Sequence, residues 1–214
     1  MESLRIVLTG GVSGGHTFPL LAVAAELRKR HPDAIEFLFV GPEGPFGGEA
    51  FERENIPAKR VATGKWRRYF SLQNFLDPFK IPFGFVQALW HLFVFMPDAV
   101  FAKGGSASVP VALAAWCYRI PVLIHDSDAT AGLANRFLGR FATRIAIAYP
   151  DTRKFFPPEK TALTGNPVRQ EVLAGSRERA LATFGLQPEK PLLLVIGGSL
   201  GASALNEALL RVLP

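Results

Sequence analysis

Three glycine-rich turns follow apolar runs in this chain, and the side chains able to do chemistry lie in or beside them. Gly10-Gly-Val-Ser-Gly-Gly15 follows the run at 5–9, Lys103-Gly-Gly-Ser106 the run ending at 103, and Gly197-Gly-Ser-Leu-Gly201 the run at 192–196. Glycine lets the backbone turn tightly and approach a ligand closely, and the helix that follows aims unpaired N–H groups and its positive dipole end outward. Such turns suit phosphate, which points to Gly14, Gly15, Gly104, Gly105 and Ser106, and to the Ser199 hydroxyl in the last turn. His16 closes the first turn, where an imidazole can accept a proton or donate a hydrogen bond to a phosphate oxygen. His125-Asp126-Ser127-Asp128 ends another apolar run, and its imidazole and two carboxylates can supply a general base or bind sugar hydroxyls. The plainer role for Ser127 or Asp128 is a cap on the helix that follows, and both roles can hold together. Arg169, after Gly165-Asn166-Pro167-Val168, can clamp a pyrophosphate through two parallel hydrogen bonds. No His, Cys and Asp cluster has metal-ligand spacing, so no metal or cofactor is expected.

The elements that must hold these residues alternate. The pattern predicts strands over 5–9, 36–40, 99–103, 122–125, 144–148 and 192–196, and helices over 19–30, 47–54, 109–118 and 131–141. Uninterrupted apolar strands alternating with helices imply an α/β fold whose parallel sheet is covered on both faces. Functional residues of such sheets gather at the carboxyl ends of the strands, where the glycine turns and His125 fall. Between 155 and 165 the chain turns to Pro, Thr and Gly, and a charged helix is expected over 168–184. This divides the chain into a first domain, 1–165, and the opening of a second Rossmann-like domain, 166–214.

The 214 residues are 49% hydrophobic with a mean hydropathy of +0.20, enough for a substantial core. The single cysteine, Cys117, cannot form an internal disulfide and reads as a small apolar residue. Its first apolar run is strand-length and leads directly into a glycine turn, unlike a leader peptide. A net charge of +6 calls for an anionic partner. Without a helix-turn-helix, zinc pattern or long basic run, nucleic acid is not expected. An anionic membrane surface or a pyrophosphate compound suits the charge. Between Gly64 and Pro97 a basic cluster adjoins many aromatics, including Trp66, Arg67, Arg68, Phe79, Phe83 and Trp90. The apolar core of that stretch is too interrupted to span a bilayer, and its composition favours the headgroup interface. The alternative is a core-facing helix preceded by a basic loop.

Taken together, Gly10-Gly-Val-Ser-Gly-Gly-His-Thr-Phe-Pro19, Lys103-Gly-Gly-Ser106, Ile120-Pro-Val-Leu-Ile-His-Asp-Ser-Asp128, Gly132-Leu-Ala-Asn-Arg136, Thr164-Gly-Asn-Pro-Val-Arg169 and Gly197-Gly-Ser-Leu-Gly-Ala202 resemble the MurG family of N-acetylglucosaminyltransferases. The resemblance covers essentially the whole chain. It implies a GT-B fold, two Rossmann-like domains around an active site, and an inverting transfer of GlcNAc from UDP-GlcNAc to an undecaprenyl-pyrophosphate-linked muramyl acceptor. It implies a peripheral protein on the cytoplasmic face of the membrane, working without a metal. By motif match Ser13, Gly14, Gly15, Asp128, Arg169 and Ser199 become donor contacts, and His16 the residue that assists acceptor activation. The carboxylate of Asp126, at the end of its apolar run, is the other candidate base. Val12 stands where the family favours glycine, His125-Asp-Ser-Asp128 where it favours His-Glu-Gln-Asn, Ser106 where it favours tyrosine, and Leu200 where it favours glutamine.

Two other functions fit parts of the pattern. One is a non-catalytic membrane and acceptor subunit of a split GlcNAc-transferase, for which a break near Asn166 would be natural. The other is a Rossmann oxidoreductase, which needs an acidic residue after the second strand to hold a ribose; only Glu43 is near.

Overall fold

The computed structural model describes residues 3–63, 73–198 and 201–212, with side chains of the long third helix described from residue 81 onward. Seven strands form one wholly parallel sheet: β1 (Leu4–Thr9), β2 (Ile35–Gly41), β3 (Ala58–Arg60), β4 (Ala99–Ala102), β5 (Val122–Asp126), β6 (Arg144–Ile147) and β7 (Thr161–Leu163). Their order across the sheet is β3-β2-β1-β4-β5-β6-β7. The helices between them are α1 (Gly14–Arg30), α2 (Gly48–Glu52), α3 (Gln73–Phe95), α4 (Ser108–Cys117) and α5 (Leu133–Leu138). This is the parallel, Rossmann-like sheet that the alternating pattern implies.

Strand periodicity explains the two layers, because successive side chains point to opposite faces. Ile6 and Leu8 of β1, with Phe37 and Phe39 of β2 and Phe101 of β4, pack on Leu20 and Ala24 of α1 and on Phe51 of α2. The alternate residues Val7, Leu38, Val40, Val100 and Ala102 pack on Ala88 and Leu92 of α3 and on α4. Gly84 lets α3 approach the sheet edge, since a β-carbon there would stand 2.0 Å from the Ala62 oxygen. Gln87 Oε1 accepts from the Ala62 N–H at 2.7 Å, holding the same contact. The core-facing alternative for this segment is therefore right for one side of α3. The other side presents Phe83, Val86, Trp90, Phe93 and Val94 to solvent, each about 60% exposed. Among the described residues no helix is long and apolar enough to cross a membrane.

The chain divides into two compact units, one ending at Pro167 and the next beginning at Val168. In the second unit, α6 (Gln170–Leu173), α7 (Arg177–Phe184) and α8 (Ser203–Val212) are helical. The single helix expected over 168–184 is broken at Ala174-Gly175-Ser176. Ser176 starts α7 anew, its hydroxyl accepting from the Arg179 N–H at 3.2 Å. The strand expected over 192–196 is not formed: these residues are exposed and outside any sheet. An apolar run becomes a strand only beside another, and among the described residues every strand lies in the first unit.

Candidate active site

In an open parallel sheet the ligand crevice lies beyond the carboxyl ends of the strands, where the strand order reverses. Here the reversal falls between β1 and β4. The turn after β1 is Gly10–Ser13, the turn after β4 is Lys103–Ala107, and the two touch. A β-carbon on Gly105 would stand 2.8 Å from Gly11 Cα, and Gly105 is free to adopt its φ of +83° because it lacks one. The helix α1 begins at Gly14, earlier than the pattern predicts, so Gly14, Gly15 and His16 form its first turn. Ser13 is its N-cap, yet the Ser13 hydroxyl does not cap the main chain. It pairs instead with His16 Nδ1 at 2.8 Å.

The His16 ring lies between the two turns. A β-carbon on Gly11 would meet Nδ1 at 2.9 Å, and one on Gly105 would come within 3.5 Å of Nε2. Burial, and then the nearby Lys103 charge, hold the imidazole below its usual range, while Asp128 and Asp126 pull the other way. A neutral ring whose Nδ1–H donates to Ser13 Oγ has a bare Nε2, the tautomer a proton acceptor needs.

Asp126 is the end of β5 and is almost fully buried. Its Oδ1 accepts from the Asp128 N–H at 3.0 Å; its Oδ2 accepts from the Gly132 N–H at 3.1 Å and from Asn135 Nδ2 at 3.0 Å. Both oxygens of this candidate base thus accept from the loop that runs from Ser127 to Gly132 and from Asn135. Asp128 is exposed within that loop, its main-chain oxygen accepting from Thr152 Oγ1 at 2.6 Å. His125 is buried and pairs through Nε2 with the Gly165 oxygen at 2.9 Å, tying β5 to the last turn of the first unit. Burial lowers its proton affinity, so it stands as a neutral anchor.

The first unit therefore brings Ser13, Gly14, Gly15, His16, Gly104, Gly105, Ser106, Asp126 and Asp128 to one sheet end. Ser106 is exposed beside the two glycines. Arg169 is exposed at the N-cap of α6 in the second unit, and Ser199 lies outside the described residues. Of the residues read as lipid-facing, Phe83 and Trp90 are exposed on α3. Phe79 lies in the part of α3 whose side chains are not described, and Trp66, Arg67 and Arg68 lie outside the described residues. Among the described residues no group of acidic, His or Cys side chains is arranged to hold a metal ion.

Sequence reasoning passed over Lys103 and Asn135 as individual residues, although both stand inside quoted motifs. Lys103 is 4% exposed, donates to Ser127 Oγ, and has its pKa lowered to about 8, chiefly by burial. The signal available for it was its position: a cation directly after a buried strand must be held by something.

Comparison with known proteins gives the family and the fold. Residues 6–147 match the family model described as "Glycosyltransferase family 28 N-terminal domain". Over 210 residues the chain is 43% identical to the UDP-N-acetylglucosamine--N-acetylmuramyl-(pentapeptide) pyrophosphoryl-undecaprenol N-acetylglucosamine transferase 3 of Bacillus thuringiensis, covering 98% of this chain and 59% of that protein. It is 42% identical over 202 residues to the transferase so described from Clostridium kluyveri, covering 94% of this chain and 56% of that protein. The crystal structure of Acinetobacter baumannii MurG superposes with a TM-score of 0.67 at 32% identity, over 99% of this chain and 56% of that one. The Neisseria meningitidis UDP-GlcNAc 2-epimerase shares the fold, with a TM-score of 0.59 at 17% identity, over 86% of this chain and 55% of that one. The chain thus spans under two thirds of the length of these relatives. With the family model covering most of its sheet and both glycine turns of the cleft, the chain belongs to glycosyltransferase family 28 and carries that family's N-terminal domain.

Proposed function

We propose that the protein carrying this chain transfers N-acetylglucosamine from UDP-N-acetylglucosamine to the muramyl 4-hydroxyl of an undecaprenyl-pyrophosphate-linked N-acetylmuramyl-pentapeptide, inverting the anomeric carbon. The Ser13–His16 pair at the strand-order reversal carries this reading. The acceptor oxygen attacks the anomeric carbon, the bond to the UDP oxygen breaks with its electron pair leaving on UDP, and the hydroxyl proton passes to His16 Nε2. Ser13 Oγ holds Nδ1–H and so favours both the accepting tautomer and the imidazolium that results. Gly14, Gly15, Gly104, Gly105 and Ser106 cradle the acceptor pyrophosphate with main-chain N–H groups. Asp128, Arg169 and Ser199 serve the donor, where Arg169 would neutralise charge on the departing diphosphate.

The acceptor's lipid tail requires contact with a membrane. The exposed apolar face of α3, in a chain of net charge +6, supports a peripheral position on the cytoplasmic leaflet, where anionic headgroups and UDP-sugar are both available. The test is transfer by the intact protein from labelled UDP-GlcNAc to a lipid-linked muramyl-pentapeptide acceptor. Labelled lipid and UDP should appear in equal amounts. UDP without labelled lipid, or an acceptor that binds and never receives sugar, overturns the proposal.

A further inference from the structure

We infer that Lys103 is a positioning residue of this site, tying the glycine turn after β4 to the Ser127–Asp128 turn after β5 and setting the charge that His16 faces. The inference rests on the transferase reading in one respect, that His16 receives the acceptor's proton.

The geometry is that of a buried cation placed between two functional turns. Lys103 follows the last residue of β4 and is 4% exposed, an unusual site for an ammonium group. Its Nζ donates to Ser127 Oγ, across the gap between β4 and β5. Among the described residues no carboxylate lies within ion-pair distance of it. The nearest acidic residue of the sheet, Asp126, has both oxygens occupied by the loop it holds. Lys103 is therefore tethered by a hydroxyl and keeps its charge uncancelled at contact range.

His16 is the group placed to feel it. Gly10 separates the two side chains: a β-carbon there would stand 3.4 Å from His16 Cβ and 3.6 Å from Lys103 Cβ. Glycine at 10 thus allows both to crowd the same side of the turn. The charged groups facing His16 are Lys103 from the turn after β4, Asp126 from the end of β5 and Asp128 from the turn that follows it. The same two carboxylates and His125 face Lys103. Through Ser127 the lysine also fixes the turn that carries Asp128, so one side chain couples the acceptor and donor edges of the first unit. A buried ammonium lowers the proton affinity of a neighbouring imidazole. Arginine would preserve that charge and lose the single-point bond to Ser127.

The experiment is a pH titration of the His16 ring by NMR on the full chain, the signal being assigned by its loss in His16→Gln. In Lys103→Met the midpoint of His16 should rise by about half a pH unit or more; in Lys103→Arg it should stay near the wild-type value. An unmoved midpoint in Lys103→Met, or an equal rise in both variants, overturns the inference. Ser127→Ala keeps the charge and removes the tie, and is open to measurement even if the lysine variants fold poorly. It should speed amide exchange at Gly104–Ser106 as well as at its own turn; a change confined to 127–128 refutes the tie. If the intact protein transfers no sugar while His16 still responds to Lys103, the transferase reading falls and the coupling stands.

Discussion

Asn135 donates the same amide nitrogen to the main-chain oxygen of His125 and to Oδ2 of Asp126, each at 3.0 Å. One side chain of α5 thus holds the end of β5 and the carboxylate that organises the loop after it. An uncharged amide at 126 would place an NH2 group against one set of these donors. Asp126→Asn should therefore lower the stability of the first unit by about 1–3 kcal/mol, the cost of leaving buried polar groups unmatched. Urea unfolding measures this. The shape of the pH–rate profile should be retained, since the proton goes elsewhere; loss of its acidic limb would return Asp126 to the role of base.

His16→Gln should do the reverse. The ring is half-buried and bonded chiefly to Ser13, so stability should change little, while transfer should fall by about 10²–10⁴-fold. The base form predominates above the pKa, and that pKa is lowered. The acidic limb of kcat/KM should accordingly lie below pH 6.5, the ordinary histidine value, and disappear in the variant. A limb at or above the ordinary value would contradict the assignment.

Much of this site is readable before folding, for identifiable reasons. Strands buried on both faces must be apolar without interruption, so β1, β2, β4, β5 and β6 stand out, and their ends mark the cleft. The edge strands β3 and β7 have three residues each and no such pattern, as at Ala58-Lys-Arg60. Leu192-Leu-Leu-Val-Ile196 has the same local signal as β1, but local signal is insufficient where no neighbour is present to pair with it. The role of Asp126 turns on donors brought from Gly132 and Asn135, and that of Lys103 on Ser127, 24 residues away. Lys103 meets Ser127 only because β5 pairs beside β4, and Asp126 meets its donors only once the loop into α5 has closed. The break in the helix expected at 168–184 was legible: Gly175-Ser176 is a stop followed by an N-cap.

Gly105→Ala and Gly165→Ala form a matched pair. Both glycines have positive φ, +83° and +74°. A β-carbon at 165 meets nothing within 4 Å, whereas one at 105 meets Gly11 Cα at 2.8 Å and Gly11 N at 3.0 Å. Gly165→Ala should cost only the conformational term, about 1–2 kcal/mol. Gly105→Ala must also push the two cleft turns apart, and should reduce acceptor binding at least tenfold where Gly165→Ala leaves it near wild type. Equal binding by the two variants would mean that the contact between the turns does not shape the site.

The exposed face of α3 makes a quantitative demand on membrane binding. Phe83 and Trp90 are each about 60% exposed and lie on the same side of the helix as Val86 and Phe93. Inserting two such aromatics should contribute about 1 kcal/mol each, allowing for their partial burial against the protein. Phe83→Ser with Trp90→Ser should lower partitioning onto vesicles containing anionic lipid by at least about tenfold. Vesicle sedimentation would show this, with far-UV spectra unchanged because neither residue is in the core.

Lys103 also makes a prediction about stability. Its folded pKa is about 8, below the 10.5 of a free lysine. Between those values the unfolded chain binds more protons than the folded one, so this group makes stability rise with pH across that window. At pH 7 both states carry the charge, and the folded protein bears its full burial penalty. Lys103→Met removes that penalty while keeping the length of the side chain. The variant should therefore be the more stable protein at pH 7, by about 1–2 kcal/mol, and the difference should shrink as pH approaches 10. Urea midpoints at the two pH values decide it. A variant destabilised equally at both would show that the ammonium–Ser127 bond outweighs the cost of burying the charge. A gain at pH 7 joined to a loss of transfer would show a cation kept for the site at the expense of the fold.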